Sequence, residues 1–587
     1  MKGLLVICTV LAPVLAVPAA SLSITKSSSL SASKSTTRTI TPTSTKTSSA
    51  TASGSRGAVC TGTFKSISAQ AWVDNANPGW NLGNTLDATP SEGDWNNPPV
   101  VAPTFDDVKA AGFKSVRVPV TYAYHFTSGS PTWDVDPAWL QRVSDVIDMV
   151  TSRNLYALTN VHHDSWIWAD VSAAGANYSM IEEKFYRLWY QIGTKLACKS
   201  SLLAFEPINE PPGTNTTHYT ELMKLESIFL KALADSGGFN PQRVVTLNGP
   251  KEDSILTSEY FDRSITTNRV GKTTWGSDAD KAALEEDIAN IRGNFSDIPL
   301  IIGEWAASPV ATETAARWKY FDFFVRTARK YHTSTMLWDN GADFLDRKTH
   351  IWRDRVALDI HMSAEKGIIN SLPDSTEDTS ATTQWTSADI FHKFGTPVTD
   401  ETLPYLFNGN TLKSIRSPSR TLKAGTDYVV SGQNITYKAA LLSKYLSPTT
   451  APGSIANLTL TFSAGAPLTA NIVQWDTPTL GVNSSSAAAT NGSDLLIPIT
   501  WKGINKPATV KAVESDQICL LDTFTSYFGP LQECRTTYSG NWNWNSSYVI
   551  ITAATVADVV AAGKDTTFAI EFYPRVPENT ANYTLTV

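Results

Sequence analysis

Glu210 and Glu304 each stand at the end of a short apolar run, Leu202–Ile208 and Leu300–Gly303, in a chain of 587 residues. Arg117, the string His162–His163–Asp164, Asn209, Asn248 and Trp338 occupy the same kind of position after other apolar runs. Two carboxyl groups set in this way can cut an acetal. One acid protonates the leaving oxygen, while the other carboxylate attacks the anomeric carbon or activates water. Taken singly, each residue has a plainer explanation. A Glu after a strand often opens a helix and interacts with its dipole. Arg117 could be a solvated cation, and His-His-Asp could be half a metal site or nothing chemical. The plain account has to repeat itself at one run end after another, which favours a shared site.

The elements that must position these residues follow a regular order. From Cys60 to about Gly395, apolar runs (Ser115–Val120, Leu155–Val161, Leu202–Ile208, Val244–Leu247, Leu300–Gly303, Thr335–Trp338) alternate with segments of helical period. VDPAWLQRVSDVIDMVTSRN places Leu140, Val143, Ile147 and Val150 on one stripe after an Asp–Pro start. Strands alternating with helices predict a parallel sheet of the α/β class, and the length suits a (β/α)8 TIM barrel, with a doubly wound sheet as the alternative. Barrel enzymes carry their chemistry where strands end, which is where these residues stand.

After about Leu403 the grammar changes to strand-like pieces divided by Gly, Pro and Ser, among them NLTLTFSAG, DLLIPITW and SSYVIITAA. This predicts two all-β sandwich modules, at 400–490 and 491–587, behind a barrel at 59–399. Residues 1–20 read as a secretory signal, with Lys2 before the apolar run GLLVICTVLAPVLAV and small residues up to Ala20. The run is too short to span a bilayer, so no membrane partner is expected. Residues 21–58, almost wholly Ser, Thr, Lys and Ala, read as a disordered stalk. Asn177, Asn215, Asn294, Asn434, Asn457, Asn483, Asn491, Asn545 and Asn582 each open an N-x-S/T sequon, which agrees with export. Four cysteines outside the leader permit three connectivities in an oxidising compartment, and proximity favours Cys519 with Cys534, with Cys60 and Cys198 as the default remainder. A net charge of −7 counts against nucleic acid as a partner, and the 18 Trp are roughly twice average usage.

With these residues in view, 72–395 resembles glycoside hydrolase family 5, in particular its endoglucanase and xyloglucanase subfamily. The strings that carry the likeness are GWNLGNTLDA, GFKSVRVPVTYAYH, NVHHDSW, FEPINEP, IPLIIGEW and MLWDNG. The resemblance implies a retaining mechanism acting on a β-glucan, with Glu210 as acid/base and Glu304 as nucleophile. Arg117 would keep Glu304 ionised, Asn209 would bond the sugar 2-hydroxyl, and His162 and His163 would fix polar groups around the −1 sugar. Trp338 would form the floor under that ring, with His125 and Trp95 as further cleft residues. Two carboxylates suffice for this chemistry, so neither metal nor organic cofactor is expected, and the chain reads as a monomer.

One departure stands out. Members of the family carry a His-x-Tyr on the sixth barrel strand, and its Tyr hydrogen-bonds the nucleophile. Between Asn248 and Glu304 there is no His, and Tyr260 sits in SEYFDRS without one two residues before it. The stretch from Val245 to Glu304 must hold two strand–helix units, yet it is little longer than those that hold one. A barrel lacking a strand exposes unpaired edges. Three readings are open: the sequence lacks a piece its relatives have, 251–274 forms an irregular strand, or the chain binds glucan without cutting it.

The two β modules resemble the immunoglobulin-like and family 46 carbohydrate-binding modules that follow some bacterial cellulase barrels. Trp501, Trp542 and Trp544 are candidates for stacking on sugar, or for packing. In NWNWNSS, Trp542 and Trp544 share a face if the backbone is extended. The residues thus point to a secreted endo-β-1,4-glucanase, with a β-mannanase or transglycosylase as rival enzymes and a noncatalytic glucan binder as the rival of another kind.

Overall fold

The computed structural model describes residues 4–8, 57–213, 215–248, 274–307, 309, 312–378, 380–521 and 534–587. Seven parallel strands come from the region expected to form the barrel: β2 (Gly79–Asn81), β3 (Ser115–Val118), β4 (Tyr156–Thr159), β5 (Leu203–Phe205), β6 (Val245–Asn248), β7 (Leu300–Trp305) and β8 (Thr333–Leu337). They pair in chain order from β2 to β6, and β8 closes the ring by pairing with both β7 and β2. Nearly every residue of these strands is buried, as expected of parallel strands covered on both faces.

β6 and β7 do not pair with each other. Between them lies a further parallel strand, Leu4–Cys8 (β1), with Leu4–Ile7 against Val245–Asn248 and Val6–Cys8 against Leu300–Ile302. The barrel is therefore closed by eight strands, but the position expected to be missing is filled from the chain's extreme N-terminus. The sequence reading assigns the same residues to a secretory leader; in this structure they sit in the ring. The physical reason is that two facing strand edges carry unpaired N–H and C=O groups, which an extended apolar segment can satisfy. The alternative of an irregular strand at 251–274 lies outside the described residues, except for Thr274.

Helices cover the outside of the ring. Pro137–Thr151 starts as the sequence predicts, with Asp136 Oδ1 accepting from Ala138 N at 2.8 Å and Pro in the first turn. Its buried stripe is Trp139, Val143, Val146, Ile147 and Val150, while Leu140 lies at the margin. The segment Tyr178–Leu196 packs closely along Thr216–Ser236. Both expected disulfides are formed. Cys60–Cys198 ties the entry segment to the end of Tyr178–Leu196, and Cys519–Cys534 closes a local loop.

Two all-β modules follow, each of two four-stranded sheets. Sheet membership corrects the expected boundaries. Leu372–Pro373 and Asp389–Lys393 pair into the sheets of the second module, although both precede residue 400. Thr479–Leu480 and Ser484–Ser486 pair with Leu495–Thr500 and Thr580–Thr586, so the third module begins before residue 491. The third module touches both others: Lys506 Nζ donates to Pro309 O at 3.2 Å, and Arg575 Nη1 donates to Gln384 Oε1 at 2.7 Å. No helix among the described residues is long and apolar enough to cross a membrane.

Candidate active site

Arg117, on β3, organises the end of the barrel where the predicted residues gather. Its side chain is fully buried, and each of its nitrogens has an acceptor. Nε and Nη2 donate to the two oxygens of Glu206 at 2.7 Å each, a bidentate fork. Nη2 also donates to Asn209 Oδ1 at 2.8 Å, and Nη1 donates to Asn81 Oδ1 at 3.1 Å and to Glu304 Oε1. Asn81, on β2, is held in turn by donating Nδ2 to Gly303 O at 2.8 Å. A guanidinium buried this deeply requires such a set of partners, and their negative charge raises its pKa.

Glu304, on β7, and Glu210, in the loop after β5, are both nearly closed to solvent, at 5% and 4% exposure. Burial raises both carboxyls above the ordinary carboxylate range. For Glu304 the adjoining Arg117 opposes that rise through charge and a hydrogen bond. For Glu210 the charge of Glu304 adds to the effect of burial, and its pKa goes well above the usual value. The two carboxyls therefore share one electrostatic site and differ in it: Glu210 holds its proton longer, and Glu304 faces the fixed cation. Glu210 also has a backbone φ of +40°, an unusual conformation for a side-chain-bearing residue, and the Asn209 amide hydrogen-bonds its carboxyl.

The two histidines follow β4. His162 lies parallel to the Trp338 indole, with ring centroids 5.9 Å apart and planes 9° from parallel. Trp338 rests directly on Gly83, where an added Cβ would come within 2.6 Å of the indole, so only glycine leaves the ring in place. His163 sits among Trp95, at 5.3 Å between centroids, and Trp166, at 4.7 Å. Burial and the charge of Arg117 push His163 down to about 4, and burial together with the adjoining His163 and Arg117 pushes His162 well down as well. Both imidazoles are thus neutral near pH 7. Trp95 and Trp166 are among the most exposed large aromatic residues of the barrel, at 46% and 42%.

Potential ligand atoms of Asp87, His162 and His163 lie within 4.8 Å of one another, the described cluster with the donor types a metal could use. Asp87 is already committed to the loop after β2, accepting from Asn84 N at 2.9 Å and Thr85 N at 2.7 Å.

The structure thus brings together Arg117, His162, His163, Asn209, Glu210, Glu304, Trp338 and Trp95. It does not bring in His125, whose ring stacks flat on Trp139 at 3.8 Å. Asn248 ends β6 and donates to Ile208 O, serving the backbone. Trp542, offered as a stacking residue, is fully buried in the core of the third module and donates Nε1 to Thr536 O, because its face of the strand turns inward. Trp501 and Trp544 are partly exposed. Glu206, Asn81 and Asn160 are the residues that sequence reading missed. An acidic residue directly behind the fully apolar Leu202–Phe205 run was the available signal for Glu206.

Comparison with known proteins now bears on this geometry. The family description Cellulase (glycosyl hydrolase family 5) matches residues 77–344, and Carbohydrate binding domain X2 matches residues 384–472. Endoglucanase B of Paenibacillus lautus is 30% identical over 481 residues, spanning 76% of this chain and 80% of that protein. The chain belongs to glycoside hydrolase family 5. It is also similar to the crystal structure of a tri-modular family 5 (subfamily 4) endo-β-1,4-glucanase from Bacillus licheniformis. The identity there is 34% and the TM-score 0.76, over 88% of this chain and 99% of that one. A tri-modular endo-β-1,4-glucanase from Bacillus halodurans matches at 25% identity and a TM-score of 0.72, over 88% and 96%. As a family 5 glycoside hydrolase, the chain carries its barrel ahead of its two β modules.

Proposed function

We propose that the chain is a secreted, retaining endo-β-1,4-glucanase acting on cellulose, xyloglucan or mixed-linkage glucan, with Glu304 as nucleophile and Glu210 as acid/base. The observation that carries this reading is the unequal environment of the two carboxyls, one against Arg117 and the other raised by burial and by its partner. In the first step an oxygen of Glu304 bonds to the anomeric carbon as the glycosidic bond breaks, and the Glu210 proton goes to the leaving oxygen. In the second, Glu210 takes a proton from water, the water oxygen bonds to the same carbon, and Glu304 is released. Trp338 supplies a flat apolar face under the reacting ring. Trp95 and Trp166 extend that surface, and Trp501 and Trp544 are offered as sugar-facing residues of the last module. Support for the substrate class comes from the Bacillus licheniformis enzyme, which has also been solved with cellotetraose.

A second reading rests on a specific observation. The strand beside β7 is LLVIC, which holds neither His nor Tyr, so it gives Glu304 no tyrosyl partner of the kind found in the family. A glucan-binding protein with little or no hydrolysis follows if that partner is indispensable. Reducing-end release from barley glucan, xyloglucan and mannan separates the two. Release by the wild type that Glu304→Gln abolishes supports the enzyme, whereas equal background from both, with retained glucan affinity, supports the binder.

A further inference from the structure

Asn160, at the end of β4, touches no predicted catalytic group, yet its orientation is fixed by two partners that allow no choice. Its Oδ1 accepts from the Val120 backbone N–H at 3.3 Å, a group that can only donate. Its Nδ2 lies 3.2 Å from Glu206 Oε1, and the Glu206 carboxylate already accepts from two N–H groups of Arg117. These contacts decide which end of the amide is nitrogen. The same Nδ2 meets His162 Nδ1 at 3.1 Å. A donor at that place makes Nδ1 the acceptor. A neutral imidazole has a single N–H, so that proton sits on Nε2.

We propose that Asn160 is a positioning residue, oriented by Glu206, that locks His162 in the Nε2–H tautomer and makes it a hydrogen-bond donor beside the Trp338 face. The identity of the acceptor, a sugar oxygen, rests on the proposed function; the tautomer does not. Asp87, His162 and His163 are then unsuited to a metal ion. The outward nitrogen of His162 carries a proton where a ligand needs a lone pair, and turning the ring would break the contact with Asn160.

The test uses the full chain with 15N-labelled histidine, reading the ring nitrogens of His162, which His162→Gln identifies by loss of its signals. The wild type is expected to show a protonated Nε2 and a bare Nδ1. In Asn160→Asp a carboxylate oxygen faces Nδ1 and accepts a hydrogen bond, so the single ring proton moves from Nε2 to Nδ1, the tautomer reverses, and kcat/KM on barley glucan falls about ten- to a hundredfold as the Nε2–H donor is lost. A wild-type His162 protonated on Nδ1, an unchanged tautomer in Asn160→Asp, or a reversed tautomer with unchanged kcat/KM overturns the proposal. If Asn160→Asp does not fold, the wild-type spectrum alone decides. The expected tautomer in a chain that hydrolyses no glucan supports the positioning role and refutes the enzyme reading.

Discussion

At the scale of single residues, Arg117 sets the terms for everything around it. It fixes Glu206, Asn209 and Glu304 at once, and the charge on Glu304 then reaches Glu210. In the proposed roles Glu304 works ionised and Glu210 protonated, and burial raises both carboxyls, Glu210 well above its usual value. kcat/KM should follow a bell-shaped pH profile whose acid limb belongs to Glu304 and whose basic limb belongs to Glu210. Replacing Glu210 by Gln should remove the basic limb along with about a hundredfold or more of the rate on natural glucan. The two carboxylates, the cation, the histidine pair and Trp338 were legible because each ends an apolar run and chemistry limits which side chains can serve there. Glu206, Asn81 and Asn160 were not. They act on side chains and backbone carried by other strands, and linear spacing carries no trace of a contact such as that between β3 and the end of β5.

At the scale of elements, the same periodicity that predicts a strand does not tell a platform from a core. Trp542 and Trp544 share one side of a strand, as extended spacing requires, but the first is sealed under the module and the second lies at its margin. Trp542→Ala should therefore lower stability by about 3–5 kcal/mol in chemical denaturation. Trp544→Ala should leave stability within about 1 kcal/mol while weakening retention on insoluble glucan. Equal, small stability changes for both would contradict the burial seen here. The gap between β6 and β7 was legible as a shortage of residues, since two strand–helix units cannot fit in so little chain. Its filling by Leu4–Cys8 was not, because an apolar run behind a lysine satisfies the description of an export leader as well as that of a buried strand. Removing residues 2–20 should leave the facing edges of β6 and β7 unpaired. Thermal unfolding should then shift down by several degrees, and an unchanged midpoint would show that β1 contributes nothing to closure.

At the scale of the whole molecule, buried ionisable groups govern how stability varies with pH. Asp389 is pushed up to about 7 and Glu226 to about 8, chiefly by burial, and Glu210 is well above its usual value. Each binds its proton more tightly in the folded chain, so its contribution is full below the unfolded pKa and is lost as pH rises through the folded one. His162 and His163, pushed down, act in the opposite sense, but only below the ordinary histidine pKa. Between about pH 4 and 6.5 the two effects oppose each other. From there to about pH 7 the carboxyls titrate with little opposition, because Lys184 and Lys506, lowered by burial to about 8, act in the opposite sense only as pH approaches that value, and the melting temperature should fall. A rise over that interval in calorimetry would contradict the protonation assigned to these groups. The change from barrel to β modules was legible from turn spacing. The boundaries were not, because Leu372–Pro373 and Thr479–Leu480 are too short to read as strands before their pairing partners are known.

The staple between Cys60 and Cys198 gives the N-terminal strand an odd status. The chain entering the barrel is fastened at Cys60 by the bridge to Cys198, whereas Leu4–Cys8 is covalently joined only by way of the Ser/Thr-rich connection that precedes Cys60. A protease that cut this connection would leave the body of the enzyme anchored and turn β1 into a separate peptide, retained only by its two ladders. The nicked protein would then be a two-piece complex, and dilution could release the smaller piece.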